Sequence, residues 1–425
     1  MTSPVRLVVR TEPIAPPASL LTALPRIGSG DYFAWIRGGE GFVGWGRAAH
    51  VETTGASRFD DAGAWWNEVR AHTTVEDHVG LPGCGLLGFG SFAYSAASAS
   101  GATLVVPQVI VGHRAGMWWR TRVGVVEADG SVTYARTVAA ASPPEHPHAP
   151  GATSFEPGEL SPEDYGRAVC SAVDRIGRGE VEKVVLARDE VVHTAHPIDA
   201  RWLLGRLADD YPRTWVFSVD GLIGATPEML VRLERGLVTS RVLAGTIRRT
   251  GDDAVDLALA ARLARSSKDL EEHDYAVRSV AEALAPYCTS MNVPDSPFVL
   301  HLPNVMHLAT DVAGRLANGA DSLRLAASLH PSAAVCGTPR PTADALITEL
   351  EGFDRDRYAG PVGWIDASGD GEWGIALRSG RVDSTDPRRM RLYAGCGIVA
   401  GSEPSDEIAE SNAKLMPMKN AFTQA

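Results

Sequence analysis

Hydrophobic positions along the chain follow two different periods. The N-terminal part carries short apolar and aromatic runs cut by glycine, as in GEGFVGWGRAAHV, GCGLLGFGSFAYS and ATLVVPQVIVGHRAGMWWRTRVGVVEADGSVTYARTV. Runs of this kind predict strands, and ADGS between two of them predicts a hairpin. Residues 1–138 therefore read as a strand-rich region. In AAASPPEHPHAPGATSFEPGEL, residues 139–160, the prolines predict a linker or surface loop. At Ser161 the period lengthens. Tyr165, Val169, Ala172, Val173 and Ile176 share one helical face; Ser161 is placed to cap that helix, Pro162 suits its first turn and Gly177 ends it.

Strand-like runs follow at EKVVLAR, TWVFSVDGLIGA and EMLVRLERGLVTSRVL. The segment DDAVDLALAARLARSSKDLEEHDYAVRSVAEALAPY predicts a helix in two parts, with Val277, Val280 and Leu284 on one stripe. ADSLRLAASLHP and PTADALITELEGF predict further helices. YAGPVGWIDASGDGEWGIALRSGRV predicts a hairpin around ASGDGE, RMRLYAGCGIVAG a strand, and SEPSDEIAESNAKLMPMKNAF a terminal helix. Strands in consecutive runs with helices inserted between them predict an α+β fold with antiparallel sheets rather than a βαβ repeat.

Composition narrows the function classes. The 425 residues are 44% hydrophobic and 22% charged, enough for a large core, and the net charge of −12 argues against a nucleic-acid partner. No apolar run approaches the roughly 18 residues needed to cross a membrane, and the N-terminus has no secretory h-region. The five cysteines are scattered without a CxxC pair, which argues against a disulfide framework or a metal-thiolate site and predicts a reducing, cytoplasmic setting.

Candidate chemistry begins with one misplaced charge. In VEKVVLARDE, period two puts Val181, Lys183, Val185 and Ala187 on one strand face, and Lys183 is the only polar member of that row. A buried ammonium is costly unless it is paired or loses its proton. In the last helix, Glu407, Glu410 and Lys414 are spaced three and four apart and share a face; Asp269 and Glu272 repeat the spacing of three in SKDLEEH. Either set alone reads equally as a solvated helix face. Together they offer oxygen ligands suited to magnesium rather than zinc. Glu228 in GATPEML lies among apolar residues, as a general acid would. Gly395 and Gly397 allow close approach to a ligand, Arg378 in an apolar strand can clamp a carboxylate, and His307 sits in a mostly apolar run. GxGxxG, P-loop, HExxH and GxSxG motifs are absent from the sequence.

The ordered segments EKVVLAR, GATPEMLV, LAGTIRR, SSKDLEEHDYAV, MHLAT, LHPSAAVCGTP, YAGPVGW, GEWGIALRSG, AGCGIVAGS and EIAESNAKL resemble the chorismate-utilising enzymes. The resemblance covers residues 161–422, the catalytic region it implies; residues 1–138 resemble only the variable part of the family's scaffold. It implies one large domain over residues 1–425, with antiparallel sheets in a sandwich-like core surrounded by helices. It also implies chorismate as substrate and Mg2+ as cofactor, attack at C2 and loss of the C4 hydroxyl. Lys183 stands where the isochorismate and salicylate synthases carry a water-activating lysine and where ammonia-using members have glutamine. Ala244 stands where aminodeoxychorismate synthases carry a nucleophilic lysine. Ala334 and Val335 resemble the small apolar pair of isochorismate synthases, whereas salicylate synthases tend to a threonine there.

The resemblance thus implies Lys183 as general base and Glu228 as general acid. Glu272 and Glu410 become magnesium ligands, with Asp269 and Glu407 close by. Arg378 and Tyr358 clamp the enolpyruvyl carboxylate; Gly395, Gly397 and Lys414 hold the ring carboxylate; Thr246 and His307 line the ring. One departure is Ser411 after Glu410, where the family usually has threonine. No glutaminase partner is expected, and the chain is expected as a monomer or homodimer. The rival expectations are salicylate synthesis, in which pyruvate is eliminated from isochorismate, and a non-catalytic chorismate-binding relative.

Overall fold

The strand Tyr32–Arg37 shows how the alternating pattern builds the molecule. Phe33 and Trp35 enter one hydrophobic cluster, while Tyr32, Ala34 and Ile36 enter another on the opposite face. The computed structural model describes residues 5–25, 31–134, 146–302, 305–317 and 319–423, with the side chains of Lys268 and Glu272 outside that description.

Among the described residues, strands pair into sheets of fourteen and ten. The larger runs from an edge at Thr153–Pro157 through Lys183–Thr194, Arg389–Ile398, Ser379–Val382, Leu222–Thr226, Trp215–Val219 and Tyr32–Arg37 to Leu7–Pro13 and Thr73–Asp77. The smaller is centred on Val305–Leu316, Leu237–Arg248, Met229–Glu234, Gly371–Ile375, Pro361–Asp366 and Leu87–Phe92. These pairings are antiparallel; Leu7–Pro13 and Thr73–Asp77 pair in parallel. Strands from residues 5–134 pair directly with later ones in both sheets, Phe217 opposite Trp35 and Gly363 opposite Gly90.

The sheets face each other across an aromatic layer. Phe33 of the larger sheet meets Phe89 of the smaller at 5.7 Å between ring centres, and Phe42 meets Trp364 at 5.1 Å, nearly edge-on. Eight α-helices are described: α1 Arg58–Ala71, α2 Pro162–Gly177, α3 Ala200–Asp210, α4 Asp253–Leu263, α5 Ser267–Leu284, α6 Ser322–Leu329, α7 Arg340–Glu351 and α8 Pro404–Phe422. Leu203, Leu204 and Leu207 of α3 and Leu415, Met418 and Phe422 of α8 cover the outer face of the larger sheet. Val277, Val280 and Leu284 of α5 are buried in the cluster that covers the smaller. This α+β sandwich is the architecture the strand and helix pattern predicts. None of the helices is long and apolar enough to cross a membrane.

Three elements depart from the expectations. The α1 helix interrupts the strand-rich N-terminal part; only Ala62, Trp66, Val69 and the arginine Arg58 are buried along it, too sparse a stripe to announce a helix. The α3 helix has a legible signal that the reading passed over: Asp199 caps it by accepting from the Arg201 amide, and its leucines recur at spacings of three and four. The Pro-rich stretch 139–160, expected to be loop, contains the strand Thr153–Pro157, paired with Glu190–Thr194 at the sheet edge; residues 139–145 lie outside the described residues. A proline is compatible with a strand whose N–H side faces away from the ladder, as at an edge.

Candidate active site

The strand Lys183–Thr194 divides its side chains between two tasks. Val184 and Leu186 pack beneath α2 and α7 with Tyr165, Val169 and Leu346. Lys183, Val185 and Ala187 face the other way and line a cleft of about 160 Å³. The sequence-level question about Lys183 thereby acquires its geometry: the ammonium group is in the wall of a cleft and only 5% exposed. The cleft collects every candidate residue except Glu272, whose side chain lies outside the described residues.

Glu228 stands between the strands Leu222–Thr226 and Met229–Glu234 and lines the same cleft as Lys183. It is buried, and burial raises its carboxyl to about 8, although Lys183, Arg378, the Leu243 amide and Lys414 all pull it down. The group is therefore protonated at neutral pH. Next to it the paired strands Leu237–Arg248 and Val305–Leu316 slip register between Ala244 and Thr246, with Gly245 at φ +77°. A side chain at Gly245 would be strained by that φ and would crowd Asp269 at 3.2 Å. Beyond the slip, Thr246 Oγ1 lies 3.0 Å from His307 Nδ1. Burial, with Arg378 and Lys414 nearby, holds His307 well below its ordinary range, so the ring is neutral, and its Nε2 is buried with no partner.

The α8 helix presents Glu407, Glu410 and Lys414 to the cleft rather than to solvent. Lys414 Nζ lies 2.6 Å from Glu410 Oε1 and donates to the Gly395 carbonyl at 2.9 Å. Burial opposes its charge, but Cys396 and Glu410 raise Lys414 above its usual value, so it stays an ammonium. Asp269, near the start of α5, completes three carboxylates around one cleft. Carboxylate oxygens are the ligands a hard divalent cation takes, so the donor set fits magnesium. Cys396 Sγ lies within 4.8 Å of ligand oxygens of Glu407 and Glu410. Burial pushes that thiol far up, and it donates to the Glu407 carbonyl, so it packs there as a neutral thiol.

Gly395 and Gly397 act through their backbones. Gly395 pairs opposite Ala187 and Gly397 opposite Val185. The amides of Ala187 and Val185 donate elsewhere, to Glu351 Oε1 at 2.7 Å and to the Cys336 carbonyl at 2.8 Å. In an antiparallel ladder such residues form non-hydrogen-bonded pairs, so the polar groups of Gly395 and Gly397 turn outward on the far side. The next strand on that side, Ser379–Val382, begins opposite Tyr393 and does not reach them. Their amides accordingly open toward the cleft. Gly395 is glycine for a second reason: a Cβ there would stand 2.7 Å from the Leu186 carbonyl.

Arg378 was expected within a strand. It instead occupies the link between Gly371–Ile375 and Ser379–Val382, with φ +49°. A left-handed arginine is a strained choice, and Ala359, whose amide donates to the Ala376 carbonyl of the same link at 3.0 Å, repeats it at +61°. The link breaks the strand and lets the guanidinium reach the cleft. Burial depresses Arg378, and no described residue forms a side-chain hydrogen bond or ion pair with it. Tyr358 is buried beside it and stacked on Tyr393 at 5.2 Å. Ala334 and Val335 complete the wall.

Sequence reasoning missed the pair that carries this wall. Arg355 Nε donates to Glu351 Oε2 at 2.8 Å, and its terminal nitrogens donate to the carbonyls of Val335 at 2.9 Å and Val185 at 2.6 Å. Glu351 also accepts the Ala187 amide. One buried ion pair thus joins the Lys183 strand, the Ala334–Val335 turn and the end of α7. Its only trace in the sequence is a four-residue spacing in ELEGFDRDRYAG, which any exposed helix end can show.

Comparison with known proteins adds an independent finding. Residues 3–423 match the family described as chorismate binding enzyme. The chain is similar to the isochorismate synthase DhbC of Bacillus subtilis, 39% identical over 61% of this chain and 68% of that protein. It is also similar to the isochorismate synthase MenF of Bacillus subtilis, 36% identical over 62% of this chain but 56% of that protein. The matched segment thus spans only about half to two thirds of the curated relatives' length. Among solved structures, a candidate 2,3-dihydroxybenzoate-specific isochorismate synthase, DhbC from Bacillus anthracis, superposes with a TM-score of 0.76 at 30% identity, over 95% of this chain and 98% of that one.

Proposed function

The chain belongs to the chorismate-binding enzyme family, and from that premise we propose that it is an isochorismate synthase, which converts chorismate reversibly to isochorismate by adding water at C2 and releasing the C4 hydroxyl. One observation carries this reading: a buried lysine and a buried, protonated carboxyl share one cleft, within electrostatic reach of each other. Water addition with loss of hydroxide needs that pairing. Water must lose a proton as it attacks, and hydroxide leaves readily only when it is protonated.

Lys183 is the base in this reading. A lysine accepts a proton only in its neutral form, so in this reading Lys183 gives up its proton before the water attacks. Glu228 is the acid, and it arrives protonated at neutral pH. General acid–base help of this kind is worth about 10²–10⁴-fold for each group. Arg378, which forms no ion pair with a described residue, and Tyr358 clamp the enolpyruvyl carboxylate. The amides of Gly395 and Gly397, with Lys414, hold the ring carboxylate. Thr246 and His307 line the ring, and Ala334 and Val335 shape the pocket around it. Ala244 offers no nucleophile, which supports water rather than a covalent route.

Magnesium is the cation this donor set suits, with Glu410 as a direct ligand and Asp269 and Glu407 adjoining; Glu272, expected as the other direct ligand, has its side chain outside the described residues. When bound, it supplies positive charge against the ring carboxylate. The reading includes no glutaminase subunit, since the nucleophile is water.

The test is a product assay. Purified protein is incubated with chorismate and magnesium, and products are separated at neutral pH. Isochorismate is expected, lost with EDTA and restored by magnesium. Lys183→Ala should lower the rate by about 10²–10⁴-fold. Salicylate and pyruvate as the main products would replace this reading with a lyase. Chorismate binding without turnover would overturn the enzymatic reading.

A further inference from the structure

Glu228 and Ala334 form a partition between two cavities. The front one is the cleft with Lys183. The rear one is small and is closed by Ser240, Arg241 and Ser332 together with apolar residues of α5 and the smaller sheet. None of these three polar residues lines the front cleft.

Ser332 is 6% exposed, and its Oγ is buried with no hydrogen-bond partner. The hydroxyl does nothing for the local chain, because the backbone carbonyl of Ser332 accepts the amides of Val335 at 3.1 Å and Cys336 at 3.0 Å. Buried hydroxyls are seldom left unpaired, and an internal water needs two to four polar partners. Ser332, Ser240 and Glu228 supply them around the rear cavity. Arg241, on the same wall, is held by Asp311 through contacts of 2.7 and 2.8 Å, and Asp311 is half exposed. Arg241, which lines the rear cavity, is itself 22% exposed.

This position answers a need that the proposed reaction creates. In each turnover Lys183 takes one proton from water and Glu228 gives one to the departing hydroxyl. Protons balance overall, but the enzyme is left with an ammonium and a carboxylate. While the product fills the cleft, it stands between the two groups.

We propose that the rear cavity holds water bound by the Ser332 hydroxyl and Glu228, and that this water restores the proton Glu228 spends. The Glu228 carboxylate takes a proton from that water as the water takes one from solvent past the Arg241–Asp311 pair, so that no hydroxide is left in the cavity. Lys183 releases its own proton into the front cleft. Ser332 is then a positioning residue, acting through water. The inference rests on the isochorismate synthase reading.

The experiment compares wild type with Ser332→Ala and Ser332→Thr in chorismate turnover, in water and deuterium oxide, with thermal unfolding as the control for folding. Loss of the relay should lower kcat of Ser332→Ala by about tenfold, a part of a full acid–base contribution. It should lower kcat/KM as well, because regeneration takes place with the product still bound and so precedes its release, the first irreversible step. The solvent isotope effect on kcat should grow, and Ser332→Thr, which keeps a hydroxyl, should recover most of the rate. Equal loss in both variants would mark Ser332 as merely structural and overturn the relay. Unchanged kinetics in Ser332→Ala would overturn it as well. If wild type turns over, such a failure is the relay's alone; if wild type makes no isochorismate, the functional reading fails and the relay with it.

Discussion

Glu228 is surrounded by Lys183, Arg378 and Lys414, three cations that favour its ionised form, and burial still outweighs them. The rate should therefore fall as pH rises through about 8, where the acid loses its proton. The same shift has a sign in stability. An ordinary glutamate titrates at 4.5 and this one at about 8, so between those values the folded chain holds a proton that the unfolded chain has released. Stability from this group is fully present below 4.5 and declines as pH rises toward 8. Glu228→Gln should lower turnover by about 10²–10⁴-fold. Urea titrations from pH 5 to 9 should show that it also loses part of this decline and is at least as stable as wild type at the alkaline end. A less stable variant at alkaline pH would refute the assignment of a reluctant, buried carboxyl.

At the scale of elements, the cleft depends on strand ends and helix faces meeting in register. The α8 helix was readable because spacings of three and four place Glu407, Glu410 and Lys414 on one face. The strand carrying Gly395 was readable as a strand, but which amides it leaves open follows from where its neighbour starts. The Glu351–Arg355 pair stitches three such elements together, with both side chains almost wholly buried. Burial raises the Glu351 carboxyl, and Arg355 offsets that rise. Breaking a buried pair from one side leaves a charge without compensation and costs about 3–5 kcal/mol. Arg355→Met should therefore lower the unfolding free energy read from urea titration by an amount in that range. Pairing it with Glu351→Leu should recover part of the loss, since no stranded carboxylate remains. If the single change proved neutral, the pair would not be what holds the wall.

For the whole molecule, the aromatic layer between the sheets is the common support. Phe89 is fully buried and faces Phe33 across the gap. Phe89→Ala should cost about 3–5 kcal/mol, measured by denaturant titration. The unfolding transition should stay single, because the strands of residues 5–134 are hydrogen-bonded directly to later strands in both sheets, Trp35 opposite Phe217 and Gly90 opposite Gly363. An early separate transition for the N-terminal strands would contradict that coupling. Within each sheet the strands of residues 5–134 form one contiguous block that meets the later strands at a single junction.

Local chemistry was enough to determine several features. Ser161 caps α2 by accepting from the Asp164 amide, as its position before a proline and two acids predicts. Alternation set Lys183, Val185 and Ala187 on one face, and helical spacing grouped the α8 charges. These patterns involve neighbours within one turn or one strand, so they survive in the linear chain. What tertiary structure decided depends on partners far apart in sequence. The proton affinity of Glu228 follows from burial against Leu243 and three distant cations. The strained turn at Arg378 follows from two strands that must end there. The carbonyls of Val185 and Val335 are joined only because Arg355 lies between them. Burial and register are properties of the packed sheets, and no window of sequence contains them.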